Sequence, residues 1–331
     1  MATAASPTVS VEEGKREQSE TQWAIAFRRF RRHRLAMISL FVLVIFYMVA
    51  FLAPVIAPFP RDYQRVQDGL LTPMSVDTQG NVRILGSDRI GKDLFSLLLY
   101  AARISLTTAL IVSLIAATVG VVLGLVAGFF RGWVDTIITR TAEFISTFPD
   151  LPILLILASI LVRSENVPVP GFITAFVGVV MGISERESRI VALVILVLSF
   201  LSWIGIFRLM RGMVFQVREQ QYIESSRALG ASNLRILAKH VFPNALPPII
   251  VSFTLLLNGA LVSESALSFL GLGIQEPTPT WGNMLNVARS FMFEHPWMPL
   301  VPSLPLLIVA IAINYIGDGL RDALDPRQRA G

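Results

Sequence analysis

The chain has 331 residues, of which 53% are hydrophobic and only 15% charged, against about 25% charged in ordinary globular chains. Those values exclude a disordered or collagen-like chain and argue against the two soluble domains that length alone would suggest. The net charge is +5, with no cysteine and three histidines. This rules out a disulfide framework, a thiolate metal site or a cysteine nucleophile and leaves nucleic-acid binding or a membrane protein with cationic inner loops.

A transmembrane helix needs about 20 mostly apolar residues to cross about 30 Å of hydrocarbon. Residues 1–22 are polar and predict a mobile tail. Arg28, Arg29, Arg31, Arg32 and Arg34 lead into a first apolar segment, 35–53. A leader of 34 residues and an apolar run of 19 are both too long for a secretory signal. The segment therefore reads as a retained span, and the arginines as a topology signal. The second span, 104–130, carries Ala116, Gly120, Gly124 and Gly128 on one face. Such a ladder lets another backbone approach closely, within this chain or at a subunit interface. The third span, 141–162, contains Phe148, Pro149, Asp150, Leu151 and Pro152, which predict a kink and allow a role in gating. Residues 171–182 are apolar but only about 18 Å long as a helix. They read as part of an external or re-entrant insertion, 163–189. The remaining spans are 190–207, 249–271 and 298–316.

Six spans put both ends on one side. With the N-terminus inside, 18 of the 28 lysines and arginines fall on inner segments, six of them on 208–248. That bias favours N-in, C-in and makes the surplus charge a membrane signature rather than a nucleic-acid footprint. The domain plan is an inner tail 1–34, a first helix 35–53, an external segment 54–103, a five-helix core 104–316 with the loop 208–248, and an inner tail 317–331.

That loop reads as two short amphipathic helices. Residues 219–229 are good helix formers, Gly230 suits a left-handed C′ position, and Ser232 can cap a second helix. Pro243, Pro247 and Pro248 are expected to end it before the next span. A helix pair across the inner ends of spans suits docking into a groove on another protein. The loop resembles the EAA loop of ATP-binding-cassette importer permeases, whose pattern is Glu-Ala-Ala, three residues, Gly, nine residues, Ile, one residue, Leu-Pro. Glu224, Ser225 and Ser226 stand for the first three, then come Arg227, Ala228, Leu229, Gly230 and Ala231, with His240 and Phe242-Pro243 at the later positions. The exchanges keep helix and turn geometry, and a histidine at that place resembles the peptide-permease branch.

Further blocks, in order, resemble the dipeptide, oligopeptide and nickel permeases. They are Gly86, Asp88, Gly91, Lys92, Asp93 and Ser96 before the second span, Trp203 to Gly212, Glu264 to Gly273, Pro277 to Met284, and Gly317 to Arg327. Lys92 and Leu97 stand where the usual form has arginine. The resemblance implies an all-α membrane protein with six transmembrane helices in the type I importer permease fold. It implies the second, C-type permease of a homologous pair, in a bacterial or archaeal plasma membrane. It also implies two cytoplasmic ATP-binding subunits, an extracytoplasmic solute-binding protein, and peptides, glutathione, nickel chelates or related solutes as cargo. ATP and magnesium would sit on the partner subunits. This chain has no Gly-x-x-x-x-Gly-Lys-Ser/Thr loop and is expected to bind no cofactor and no metal. Residues 224–231 with His240 and Pro243 would couple to the ATPase, Gly230 setting the angle of a lever.

Glu224, Arg227 and Arg235 read either as partner contacts or as solvated helix charges. Asp150 and Glu264 lie in or near spans, where a central charge costs about 2.5–3.5 kcal/mol. Both are candidates for a gate or path, and an interhelical hydrogen bond is the other reading of Glu264. Trp281 and Trp297 read as interface anchors or as contacts for the binding protein. A gradient-driven secondary transporter is the rival function. It calls for an inverted repeat and paired midplane carboxylates, and no repeat is visible. An intramembrane enzyme lacks a His-Glu-x-x-His or Gly-x-Ser-x-Gly motif.

Overall fold

A computed structural model describes residues 22–161 and 167–325. The polar tail expected to be mobile, residues 162–166 of the insertion and the last six residues lie outside the described residues, apart from Gln22. Apolar runs fold as helices because backbone groups in hydrocarbon must satisfy one another. α1 (Gln22–Arg32) leads to His33, whose Nδ1 accepts from Ala36 N at 3.1 Å and caps α2 (Arg34–Phe51). A single turn, α3 (Ala53–Ile56), opens the external segment. Within it β1 (Ser75–Val76) pairs antiparallel with β2 (Val82–Arg83) in the register Ser75↔Arg83. Then come α4 (Leu94–Phe130), α5 (Gly132–Ser146), α6 (Asp150–Leu161), α7 (Gly171–Met181) and α8 (Glu185–Arg218). α9 (Gln221–Ala228), α10 (Asn233–Ile236), α11 (Phe242–Phe269), α12 (Trp281–Ala288) and α13 (Leu300–Leu324) complete the described chain.

Five helical runs are long and apolar enough to cross a membrane: α2, α4, α8, the run 233–269 that ends in α11, and α13. The bent pair α5–α6 makes a sixth if it counts as one span. The glycine ladder packs α4 on α8. A Cβ on Gly120 would lie 2.7 Å from the Trp203 carbonyl oxygen, on Gly124 2.7 Å from Met210 Cβ, and on Gly128 2.7 Å from Val214 Cβ. The contacts ascend together, so the two helices run parallel. The ladder is therefore used inside the chain, not at a subunit interface.

Two parallel helices require a return between them, and α5–α6 supplies it. At the start of α8, Arg189 Nη2 donates to the Val167 carbonyl at 3.2 Å. Near the start of α4, Arg103 Nη2 donates to the Val180 carbonyl at 2.7 Å. Val167, just ahead of α7, and Val180, at its last turn, thus lie at one end of the bundle. The opposite end gathers Arg29 beside the Asp325 carbonyl, His33 beside Asp322 at 3.7 Å, and the Arg131–Glu219 ion pair. The first and last described turns therefore share the end that carries α9 and α10.

Several sequence-based boundaries need correction. α4 begins at Leu94 rather than 104, because Asp93 caps it by accepting from Ser96 N at 2.8 Å and Ser96 Oγ at 2.7 Å. α8 begins at Glu185 on a capping box of Ser184 and Glu187, inside the charged stretch read as external loop. It continues past 207 to Arg218, and α13 runs past 316 to Leu324. The third span is not one kinked helix. α5 and α6 meet at 91°, because Pro149 has no N–H and disfavours helix at Phe148. The second loop helix does not end at Pro243. Residues 237–241 form a wider π turn that feeds straight into α11. A π turn absorbs a missing proline donor, and Asn244 Nδ2 donates to the His240 carbonyl at 2.6 Å. Trp281 is buried edge-on against Phe46, and Trp297 is half-buried against Gly86, so Trp281 is no interface anchor.

Candidate functional site

The loop α9–α10 is built around a glycine turn. Gly230 has φ +81°, its N–H donates to the Arg227 carbonyl at 2.9 Å, and Ala231 N donates to the Ser226 carbonyl at 3.0 Å. This is a Schellman stop, which needs a residue comfortable at positive φ. Ser232 then caps α10 by accepting from Arg235 N at 3.4 Å. Ile223, Ile236 and Val241 are buried in a cluster with Met210, Val214, Val217 and Phe129 and fasten the loop to the bundle. Arg227 stacks over Phe129 at 5.6 Å, and the Tyr222 and His240 rings lie 6.0 Å apart.

The outward face is mixed. Glu224, Ser225, Arg227, Ala228, Gly230 and Pro243 are exposed, whereas Ser226, Ala231 and His240 are half-buried. The Ser225 and Ser226 hydroxyls donate back to the Gln221 and Tyr222 carbonyls at 3.0 and 2.8 Å. Serine in place of alanine therefore adds little outward polarity. Leu229 is 88% exposed and Leu234 79% exposed, one on each side of the turn. Two large apolar side chains thus stand exposed beside a buried anchor. Sequence reasoning missed Leu234. Its signal was a leucine just after a capped start, among polar neighbours.

The end of α8 that leads into the loop is tied to α4 and α5. Arg218 Nη1 donates to the Gly128 and Phe129 carbonyls, both at 3.0 Å, and so caps the C-terminus of α4. Arg211 grips Asp135 on α5 with bonds of 2.5 and 2.8 Å, and Arg208 donates to Ser146 Oγ at 2.8 Å. Neither Arg211 nor Arg218 stood out by spacing, because their partners are carbonyls and carboxylates distant in the chain.

At the other end Glu264 is fully buried. It accepts from Ser268 Oγ at 2.8 Å and Ser265 Oγ at 3.4 Å, with the Ser105 and Thr280 hydroxyls also bonded to it. Three of these hydroxyls accept in turn from the backbone N–H groups of Ile274, Trp281 and Asn283. The carboxylate thus joins α4, α11 and the start of α12. Asp150 is exposed on the first turn of α6. Ser146, one turn earlier, bonds the inner half of α8, so no single site holds Asp150 and Glu264.

At this end the segments before α4, α8 and α12 are locked by charge. Arg83 is buried between Asp77 at 2.9 Å and Asp93 at 3.8 Å, beneath the Phe59 ring at 3.8 Å. Glu187 accepts from Thr278 Oγ1 at 2.9 Å and pairs with Arg61 at 3.1 Å. Lys92 lies 3.8 Å from Glu276. Gly86 and Gly91 both sit at φ +77°, with backbone of the same segment packed where a Cβ would go. The Gly-Ser-Asp-x-x-Gly-Lys-Asp motif is therefore a folding element of this end of the bundle. Among the described residues no group of three His, Asp or Glu could hold a metal ion.

Residues 120–330 match the family described as binding-protein-dependent transport system inner membrane component. The glutathione transport system permease protein GsiD of Escherichia coli O6:K15:H31 is 35% identical over 313 residues, covering 95% of this chain and 93% of that protein. The chain belongs to the binding-protein-dependent transport permeases. Residues 21–73 of the permease match the N-terminal TM domain of oligopeptide transport permease C. GsiD of Shigella flexneri serotype 5b is 36% identical with the same coverage. Among solved structures, an inward-facing form of the MetNI methionine ABC transporter covers 71% of the permease and 99% of its own chain, at 17% identity and a TM-score of 0.49. The permease is a multi-pass inner-membrane subunit of an ATP-driven importer, and importers of this kind combine permease, ATPase and binding-protein components.

Proposed function

We propose that the permease forms half of a translocation path with a homologous permease subunit and that small peptides are its cargo. Two cytoplasmic ATP-binding subunits would receive α9–α10, and an extracytoplasmic binding protein would deliver the solute. Both termini and the loop would face the cytoplasm, in keeping with the 18 inner cations. The peptide class is supported by the match of 21–73 to oligopeptide permease C and by the name of GsiD. The observation that carries the coupling role is the pair Leu229 and Leu234, exposed around Gly230 on a loop anchored by three buried side chains. ATP and magnesium act on the partner, and this chain supplies transmission. When the partner subunits close, force on α9 reaches α4 through Arg227 and Phe129, and α8 through Ile223 and its cluster with Met210, Val214 and Val217. Glu224 faces outward to meet a cation on the partner. Glu264 keeps the outer ends of α4 and α11 in register while the inner ends move, and Asp150 stands at the break where the third span can flex.

Reconstitution of the permease with its partners in proteoliposomes tests this reading. Binding protein loaded with a small peptide is expected to stimulate ATP hydrolysis and uptake together. Stimulation by an ion gradient without ATP would sink it.

A further inference from the structure

α1 is an amphipathic helix whose two faces meet different surroundings. One face, Ala26 and Phe30, is buried against α13, where Phe30 lies beside Gly319 and in a cluster with Ala36, Ile316 and Ala323. Asp322 faces His33 at 3.7 Å, and the Asp325 backbone carbonyl accepts from Arg29. The other face carries Phe27, 68% exposed, among exposed Arg28, Arg31 and Arg32. α1 itself contains no acidic residue.

Continuity sets the depth of this helix. α2 starts at Arg34, and its Leu35, Ile38, Phe41, Val44, Ile45 and Met48 are exposed side chains of a span. A helix joined to such a span through one residue is expected at the headgroup level of the bilayer. There an aromatic side chain can enter the acyl boundary while arginines remain among headgroups.

We infer that α1 is a binding surface for anionic phospholipid headgroups, with Arg31 and Arg32 as its contacts and Phe27 as its apolar wedge. The surface clamps the α1–α13 corner to the membrane while the adjoining helices move. This adds to the topology role of the arginines, which acts during insertion. It depends on the position of α1 at the bilayer surface and not on the transported solute, so it stands or falls apart from the peptide reading.

The test uses the full complex, purified with its ATPase subunits, in nanodiscs of mixed phosphatidylcholine and phosphatidylglycerol. Native mass spectrometry counts the lipids retained. An arginine near an anionic surface contributes about 1 kcal/mol, or roughly fivefold. Arg31→Gln with Arg32→Gln is therefore expected to lower the phosphatidylglycerol preference roughly 25-fold at low salt, and Arg31→Lys with Arg32→Lys to keep most of it. Rising salt is expected to erase the wild-type preference. Equal retention of both lipids by the wild type, or full preference in the glutamine variant, overturns the proposal. So does an unchanged lipid ratio with loss of the ATPase subunits, which would assign the arginines to a protein partner. Where the glutamine variant fails to assemble, a wild-type preference insensitive to salt overturns it equally.

Discussion

At Gly230 a side chain would meet no neighbour within 4 Å, yet φ is +81°. The cost of substitution there is conformational, about 1–2 kcal/mol for a non-glycine residue in the left-handed region, and more for a β-branched one. Gly230→Val is expected to leave the complex assembled, hydrolysing ATP with little uptake. The check is the ratio of transported solute to ATP consumed in proteoliposomes, and a wild-type ratio would refute the lever. Glu264 works by a different principle. Its carboxylate is the common acceptor of four hydroxyls, so its removal strands buried donors. Glu264→Ala is expected to destabilise the complex by about 3 kcal/mol or more, read as a fall in unfolding temperature. Glu264→Gln should lose less, since one acceptor oxygen remains.

At the scale of elements, the α4–α8 seam relies on missing side chains. Gly124→Leu must push Met210 and Phe207 away, and overpacking of this kind costs about 1–3 kcal/mol or more. The expected readout is loss of folded protein by fluorescence-detected gel filtration, with Gly205→Leu, where a Cβ meets nothing, as the tolerated control. The β1–β2 hairpin is expected to respond to pH instead. Burial raises the Asp77 carboxyl, but hydrogen bonds from Asn81 and Gln79 and the charge of Arg83 outweigh it and hold it below its ordinary value of 3.8. A depressed carboxyl stabilises the folded form above that ordinary value, and the stabilisation is lost as pH falls through the folded pKa. Asp88 has the opposite sign, since burial leads and pushes its carboxyl up. Amide-exchange protection of 75–83 is therefore expected to persist at about pH 5 and to fall below 3.8. Unchanged protection there would remove Asp77 from the account of the hairpin.

For the molecule as a whole, one end is a cap of segments locked together and the other carries the α9–α10 loop that we propose meets a partner. The cap is tied across distant segments by Arg61–Glu187, Thr278–Glu187 and Lys92–Glu276. The loop offers Leu229 and Leu234. Leu229→Asp with Leu234→Asp is expected to abolish co-purification of the ATPase subunits and leave the permease monodisperse, because neither side chain contributes to the core. Retained ATPase at wild-type stoichiometry would move the contact elsewhere.

The sequence by itself determined that the chain lives in a membrane, roughly where it crosses, and that Gly230 breaks a helix pair. Hydropathy and turn chemistry are local, and each is written within a few residues. It could not mark where α4 and α8 begin, because those starts depend on capping by Asp93 and Ser184 beyond the apolar runs. It likewise left the glycine ladder with two readings, and Glu264 with two. Only the tertiary structure decided that the ladder faces Trp203 to Val214 of the same chain and that Glu264 lies beneath Ser105 and Thr280. The reason is physical. Close packing and buried hydrogen bonds join residues far apart along the chain, and a one-dimensional pattern shows that such a residue needs a partner without showing which.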